Sequence, residues 1–272
     1  MLNFNSIVNF LLLILIVLVA IFLLYRLLHK QQLAQISAGP ISPVYLKILQ
    51  VEIPFYQQLN AQQQISFQER LQHFLSGVKI TGVKTAVEDL DKVLIAASAI
   101  IPIFNFEGWS YINLHEILLY PDSFNHDFEQ QGAGRDILGM VGNGSMNNIM
   151  ILSQYELRQA FSNKTGKSNT AIHEFVHLVD KTDGSIDGIP NFILDKQYLL
   201  PWLQRMQQEI ASIKNDESDI NAYGASNEAE FFAVVAEYFF ERPDLLHQKH
   251  PELYSLLLQI FNPKQQVIKI ES

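Results

Sequence analysis

Asn169-Thr-Ala-Ile-His173-Glu174-Phe-Val-His177-Leu-Val-Asp180 is the stretch around which the chain is organised. Residues four apart on an α-helix lie one above the other on the same face, so His173 and His177 present two imidazoles to a single ion. Glu174 projects beside them, where a general base acts on a water molecule. The helix itself is well supported. Ser168 and Asn169 are N-cap candidates, no Pro or Gly interrupts Thr170 to Asp183, and Ile172, Val176 and Val179 recur at helical spacing. The same pattern arises by chance in unrelated chains, and a buried histidine pair is also compatible with a hydrogen-bonded core. Two histidines at this spacing, with a carboxylate next to the first on a capped apolar helix, favour zinc.

Composition narrows the remaining possibilities. The 272 residues carry 19 Lys+Arg against 28 Asp+Glu, a formal charge of −9. No basic run is present, so nucleic acid lacks the positive footprint it requires, and no direct nucleic-acid binding is expected. With no Cys there is neither a disulfide framework nor a thiolate metal site, which leaves His and carboxylates as ligands.

Ile7 to Leu24 forms an apolar run broken only by Asn9. At 1.5 Å per residue it nearly crosses a hydrocarbon core, and Tyr25, Leu27 and Leu28 extend it. A cleaved signal peptide is disfavoured because no Lys or Arg precedes the run. The expectation is an N-terminal transmembrane helix within residues 1–30 and a polar linker over 31–44 stiffened by two prolines. A domain over 45–262 and a tail over 263–272 follow. Arg26 and Lys30 after the span point to a single-pass protein with its bulk in the cytoplasm.

Within the domain, Phe67, Leu71, Phe74 and Leu75 mark a helix ending at Gly77, with His73 off its apolar stripe. Val78 to Val83 reads as a short strand, Glu88 to Ala97 as a helix, and Ile112 to Tyr120 as a strand stopped by Pro121. His115 and Glu116 on that strand point to opposite faces and chelate poorly. The Gly-rich stretch from Phe124 to Asn148 has no phosphate-binding frame and reads as a flexible loop over a cleft. Asn148 to Ser153 follows as a buried or edge strand just ahead of the motif helix, a candidate for pairing with an extended peptide. Leu199 to Ile213 is a helix turning Leu203, Met206 and Ile210 inward. His247 and His250 are left at the surface.

A third ligand has to come from downstream of the motif. Glu230 and Glu237, seven residues apart on an otherwise strongly apolar helix running from Asn227 to Pro243, share one face. A carboxylate buried there needs a cation, and Glu230 is the chosen ligand. Asn227-x-x-Glu230 also has the spacing of a capping box, and Glu237 remains either a competing ligand or a group behind one. Asp180 is placed to accept the second N–H of His177 or merely to end the helix. Tyr223, just before the second helix, either donates its phenol to a developing oxyanion or is an ordinary half-buried aromatic.

His-Glu-Phe-Val-His-x-x-Asp, then Asp-Gly and Gly-x-Pro, then Ala-Tyr-Gly-Ala-Ser-x-x-Ala-Glu-Phe-Phe-Ala-Val and Glu-Tyr-Phe-Phe follow one another in order. Spanning about Pro54 to Asn262, this series resembles the Mlc titration factor A family of bacterial zinc-dependent peptidases of the gluzincin type. The resemblance implies an α+β, zincin-like metalloprotease domain similar to the catalytic part of anthrax lethal factor. It also implies zinc on His173, His177 and Glu230, Glu174 as base, Tyr223 as transition-state donor, and a glucose-responsive transcriptional repressor as partner. With the bacterial origin that the resemblance implies, the expected location is the inner membrane, and the expected function is a membrane-anchored zinc peptidase acting on a peptide or protein substrate. The alternative is a membrane-tethered protein that sequesters a transcriptional regulator with little or no peptidase activity.

Overall fold

The computed structural model describes residues 13–15, 17–19, 40–132, 134–142, 148–163 and 165–262. The chain divides into two compact units, Met1–Ile41 and Ser42–Ser272. The expected transmembrane helix is not sustained. A span requires about 20 consecutive helical residues, whereas Leu13–Leu15 and Val17–Val19 are the helical residues described there, and all six are exposed. Among the described residues no helix is long and apolar enough to cross a membrane. The single-pass inner-membrane location falls with it. The rest of the 7–24 run and the 263–272 tail lie outside the described residues.

The second unit contains helices α1 (Pro43–Glu52), α2 (Pro54–Gln57), α3 (Ala61–Gly77), α4 (Asp89–Ile100), α5 (Gln154–Ser162), α6 (Thr170–Asp180), α7 (Leu199–Lys214), α8 (Glu228–Glu241), α9 (Pro243–Lys249) and α10 (Pro251–Phe261). Its strands are β1 (Lys79–Gly82), β2 (Glu116–Tyr120), β3 (Gly139–Val141) and β4 (Ile149–Ser153). They form one mixed sheet in the order β1-β2-β4-β3, with β1, β2 and β4 parallel and β3 antiparallel to β4. The two inner strands, EILLY and IMILS, are the apolar ones, as expected of strands covered on both faces.

Three expectations shift. The strand read from Ile112 begins only at Glu116, because Tyr111–Leu114 forms a turn in which Leu114 N–H donates to Tyr111 O, leaving Ile112 80% exposed. The segment 148–153 is an inner strand, and a whole helix, α5, separates it from the motif helix. One of the two sheet edges lies instead inside the Gly-rich stretch, as β3. Leu138 O accepts from Ser153 N–H and Gly142 N–H donates to Ile149 O, so residues 138, 140 and 142 turn their backbone groups to β4. By the alternation of an antiparallel ladder, the backbone groups of Gly139 and Val141 face the open edge.

The sheet and α4 build the floor under α6. Positions 93–100 of α4 are buried throughout, and Phe175 of α6 packs edge-on to Phe74 at 5.8 Å and against Tyr111 at 5.1 Å. One buried ion pair ties α4 to α5. Asp91 is wholly buried and receives Arg158 Nε and Nη2 at 2.7 and 2.9 Å, Gln154 Nε2 at 2.8 Å and the Glu88 N–H at 2.8 Å. Removing Asp91 takes the shared acceptor from the Glu88 N–H and from the half-buried Arg158 and Gln154, which keep only Glu88 and Ala86 O as acceptors. Asp91→Ala is therefore expected to lower unfolding stability by about 3 kcal/mol, read from urea denaturation; a loss too small to resolve contradicts this account of the α4–α5 contact.

Candidate metal centre

The motif stretch folds locally as its sequence requires. Asn169, wholly buried, caps α6 by accepting the Ile172 N–H at 3.2 Å. His173 and His177 then emerge one turn apart, with their Nε2 atoms 3.1 Å from each other. α8 brings Glu230 to them: its Oε2 lies 2.9 Å from His173 Nε2 and 3.4 Å from His177 Nε2. The capping interpretation of Glu230 holds for its backbone only. Its N–H donates to Asn227 Oδ1 at 2.9 Å, while its carboxylate turns to the histidines.

This triangle fits a metal ion. The three donor atoms lie within 4.8 Å of one another. Sides of 3.1, 2.9 and 3.4 Å bracket the ~3.3 Å edge of a tetrahedron whose ligands stand 2.0–2.1 Å from a central ion. The chemistry agrees with the distances. Three lone-pair donors, one of them anionic, converge on a point that only a cation can satisfy.

Glu237, one of the alternatives for ligand, takes a different place. Its Oε1 accepts from His173 Nδ1 at 2.7 Å and its Oε2 accepts the Asn169 N–H at 2.5 Å, so it orients the imidazole from behind. Beyond it, Asn169 Nδ2 donates to Glu241 Oε1 at 2.8 Å. Burial, opposed by Asn169 and reinforced by Glu237, lifts the Glu241 carboxyl to about 7. Burial alone would push the His173 imidazolium down, but Glu230 and Glu237 overcome it and raise the group to about 10. Burial likewise works against ionisation of Glu230, yet the two imidazoles hold its carboxyl at about 2.

Asp180 does not pair with His177. Its Oδ2 accepts the Gly188 N–H at 2.7 Å, while its Oδ1 and His177 Nδ1 are both buried without a hydrogen-bond partner. Asp180 thus anchors the loop that follows α6. Trp202 Nε1 donates to Gly188 O at 2.8 Å and pins the same residue from α7. Gly188 has φ +75°, and a Cβ there would lie 2.3 Å from Glu228 O, so no other residue fits. The inward stripe of α7 is accordingly Trp202, Met206, Glu209 and Ile213, while Leu203 and Ile210 are half-buried.

Glu174 is 6% exposed, and burial raises its carboxyl above the usual range. Tyr223 sits in a short turn, Ala222–Ala225, begun by Asn221 Oδ1 accepting the Tyr223 N–H at 3.0 Å. Its ring lies 6.0 Å from the His173 ring and is 55% exposed. Partial burial, then Glu230 and Glu174, raise the phenol, which keeps it a proton donor near neutrality. Both line a cleft of about 780 Å³ with His173, His177 and Glu230, bounded by Gly139 and Met140 of β3 on one side and Leu203 and Met206 of α7 on another.

The sequence reading missed one supporting cluster. His250 is no free surface residue: its Nε2 lies 2.8 Å from Asp219 Oδ1 and its Nδ1 3.2 Å from Glu209 Oε2. Asp219 also accepts from Lys167 at 2.6 Å and from Tyr238 and Lys249 at 2.9 Å. The cluster holds the segment that leads into the Tyr223 turn. Its partners are far apart in sequence, so no local pattern announces it. His247, by contrast, is exposed.

Residues 26–262 match the family described as glucose-regulated metallo-peptidase M90. The chain belongs to that family. A Synechocystis protein described as uncharacterized is 29% identical over 247 residues, covering 84% of this chain and 86% of its own length. Mlc titration factor A of Pectobacterium atrosepticum is 28% identical over 180 residues, covering 61% of this chain and 66% of its own. That of Escherichia fergusonii is 26% identical over 227 residues, covering 77% and 82%. A metallopeptidase-like domain is thereby established.

Two outcomes follow from the surroundings of His173. Glu237→Ala is expected to weaken metal retention about 10–100-fold, measured by competition with a chelator; unchanged affinity contradicts the orienting contact. The second concerns the metal-free protein. His173 is raised from its ordinary value of 6.5 to about 10 on folding. Its contribution to stability is therefore complete below pH 6.5 and is lost as pH rises towards 10. Chelator-treated protein is expected to melt at falling temperature across that window, and a melting temperature that rises there contradicts the Glu230–His173–Glu237 arrangement.

Proposed function

We propose that this domain is a zinc peptidase of the gluzincin type, with His173, His177 and Glu230 as the ion's ligands. The observation that carries the reading is the meeting, in one cleft, of the three-donor cluster with a buried carboxylate and a phenol. Zinc supplies Lewis acidity and brings the pKa of a coordinated water to about 7. Glu174 takes a proton from the attacking water on its carboxylate and returns it to the leaving amine nitrogen. Its burial suits that work, because a carboxylate with a raised proton affinity is the better base. Tyr223 donates its phenolic O–H to the oxyanion of the tetrahedral intermediate, a contact whose loss typically costs about 10²–10³ in rate. Glu237 keeps the His173 lone pair aimed into the cluster. An extended peptide pairs with the backbone groups of Gly139 and Val141 on the open edge of β3, which brings a scissile carbonyl over the cluster.

The name Mlc titration factor A carried by the relatives favours a second reading, capture of a transcriptional regulator by binding alone. One comparison separates the two. Full-length wild type and Glu174→Gln, both zinc-loaded, are incubated with a mixed peptide library. Wild type is expected to cleave, and the variant to retain zinc while losing about 10²–10⁴ in turnover. Cleavage by the variant at the wild-type rate removes Glu174 from the mechanism, and no cleavage by either favours the binding reading.

A further inference from the structure

Gly139 stands where β3 crosses the start of α6. A Cβ built on it would lie 2.8 Å from Glu174 Cγ, 2.9 Å from Glu174 Oε1 and 2.8 Å from Thr170 Cγ2. Real Cβ atoms do not approach heavy atoms so closely. The backbone conformation does not call for glycine, since Gly139 is not among the residues with positive φ. What calls for glycine is the space beside Glu174.

The strand side of this contact cannot retreat, so a side chain at position 139 would have to push Glu174 from its place towards the cleft. Gly139 is held in register opposite Leu152, and its neighbours bond to β4 through Leu138 O and Gly142 N–H. Glu174 leaves the first turns of α6, whose start is fixed by the Asn169 cap. Its side chain is buried at the same time that it lines the cleft. We propose that Gly139 is a positioning residue: the volume left by its missing Cβ is the seat of the Glu174 side chain. The strand that offers its edge to a peptide thereby also fixes where the carboxylate stands, so peptide register and base position share one residue.

The catalytic meaning of this seat rests on the peptidase reading, whereas the seat itself is tested without activity. Gly139→Ala is compared in two backgrounds, wild type and Glu174→Ala/Thr170→Ser, the second lacking all three atoms that the new methyl would strike. In the wild-type background the substitution is expected to lower the melting temperature by about 2–10 °C; in the emptied background the penalty is expected to vanish. If Gly139→Ala alone fails to fold, recovery in the emptied background serves equally. A penalty of the same size in both backgrounds, or failure to fold in both, overturns the proposal.

Where wild type cleaves peptides, Gly139→Ala is expected to lower kcat about 10²-fold, as for a reacting group displaced by about 1 Å. The zinc affinity measured against a chelator is expected to stay at its wild-type value, a split that general loosening of the fold would not give. An unchanged kcat contradicts the role in positioning. Absence of wild-type cleavage contradicts the peptidase reading, and the melting comparison still decides the seat.

Discussion

A single imidazole is gripped at both of its nitrogens by two carboxylates of one helix. Glu237 holds His173 Nδ1 at 2.7 Å and Glu230 stands 2.9 Å from Nε2. Both carboxylates leave α8, and the imidazole leaves α6. The seven-residue spacing on α8 is two turns, so one face of one helix serves both ends of the ring. Buried carboxylates on an apolar helix are costly unless paired, and this pairing fixes how α8 lies against α6. The cap of α6 joins the same system, because Asn169 donates to Glu237 through its backbone and to Glu241 through its side chain. Helix start, helix packing and ligand orientation thus depend on one connected set of bonds.

Glycines and one tryptophan bring the surrounding walls up to that pair of helices. At Gly188 the chain turns close enough to α8 to exclude any side chain, and Asp180 and Trp202 hold the turn from two helices. At Gly139 the edge strand comes close to the Glu174 side chain, where an added Cβ would lie 2.8 Å from Cγ. In both places glycine allows backbone to replace side chain against a functional element, so the cleft is walled by main chain on two sides. The sheet beneath places a three-residue strand at its edge, with the peptide groups of Gly139 and Val141 turned away from β4.

The motif helix was legible because its signals are local. The His173–His177 spacing, the Asn169 cap and the apolar stripe all fall within twelve residues, and α6 runs from Thr170 to Asp180. Glu230 was legible as an unexplained carboxylate on an apolar helix. β3 was not, since three residues beginning with glycine offer no alternation to count, and its existence depends on β4. The pairing of Asp180 with Gly188 rather than His177 depends on a left-handed glycine and a tryptophan fourteen residues further on. The Asp219–His250 contact joins residues thirty-one apart. The N-terminal run misled for another reason: hydropathy is a property of side chains alone, and among the described residues no helix is long and apolar enough to cross a membrane.

The proposed function rests on these three side chains holding one ion. Zinc K-edge absorption on the zinc-loaded full-length protein, together with metal content per chain, tests that claim most directly. The account predicts one zinc per chain, about 2.0–2.1 Å from two imidazole nitrogens with the remaining donors oxygen, and loss of the imidazole signature in a His173→Ala/His177→Ala variant. A coordination shell without imidazole, or an unchanged spectrum in that variant, would contradict it.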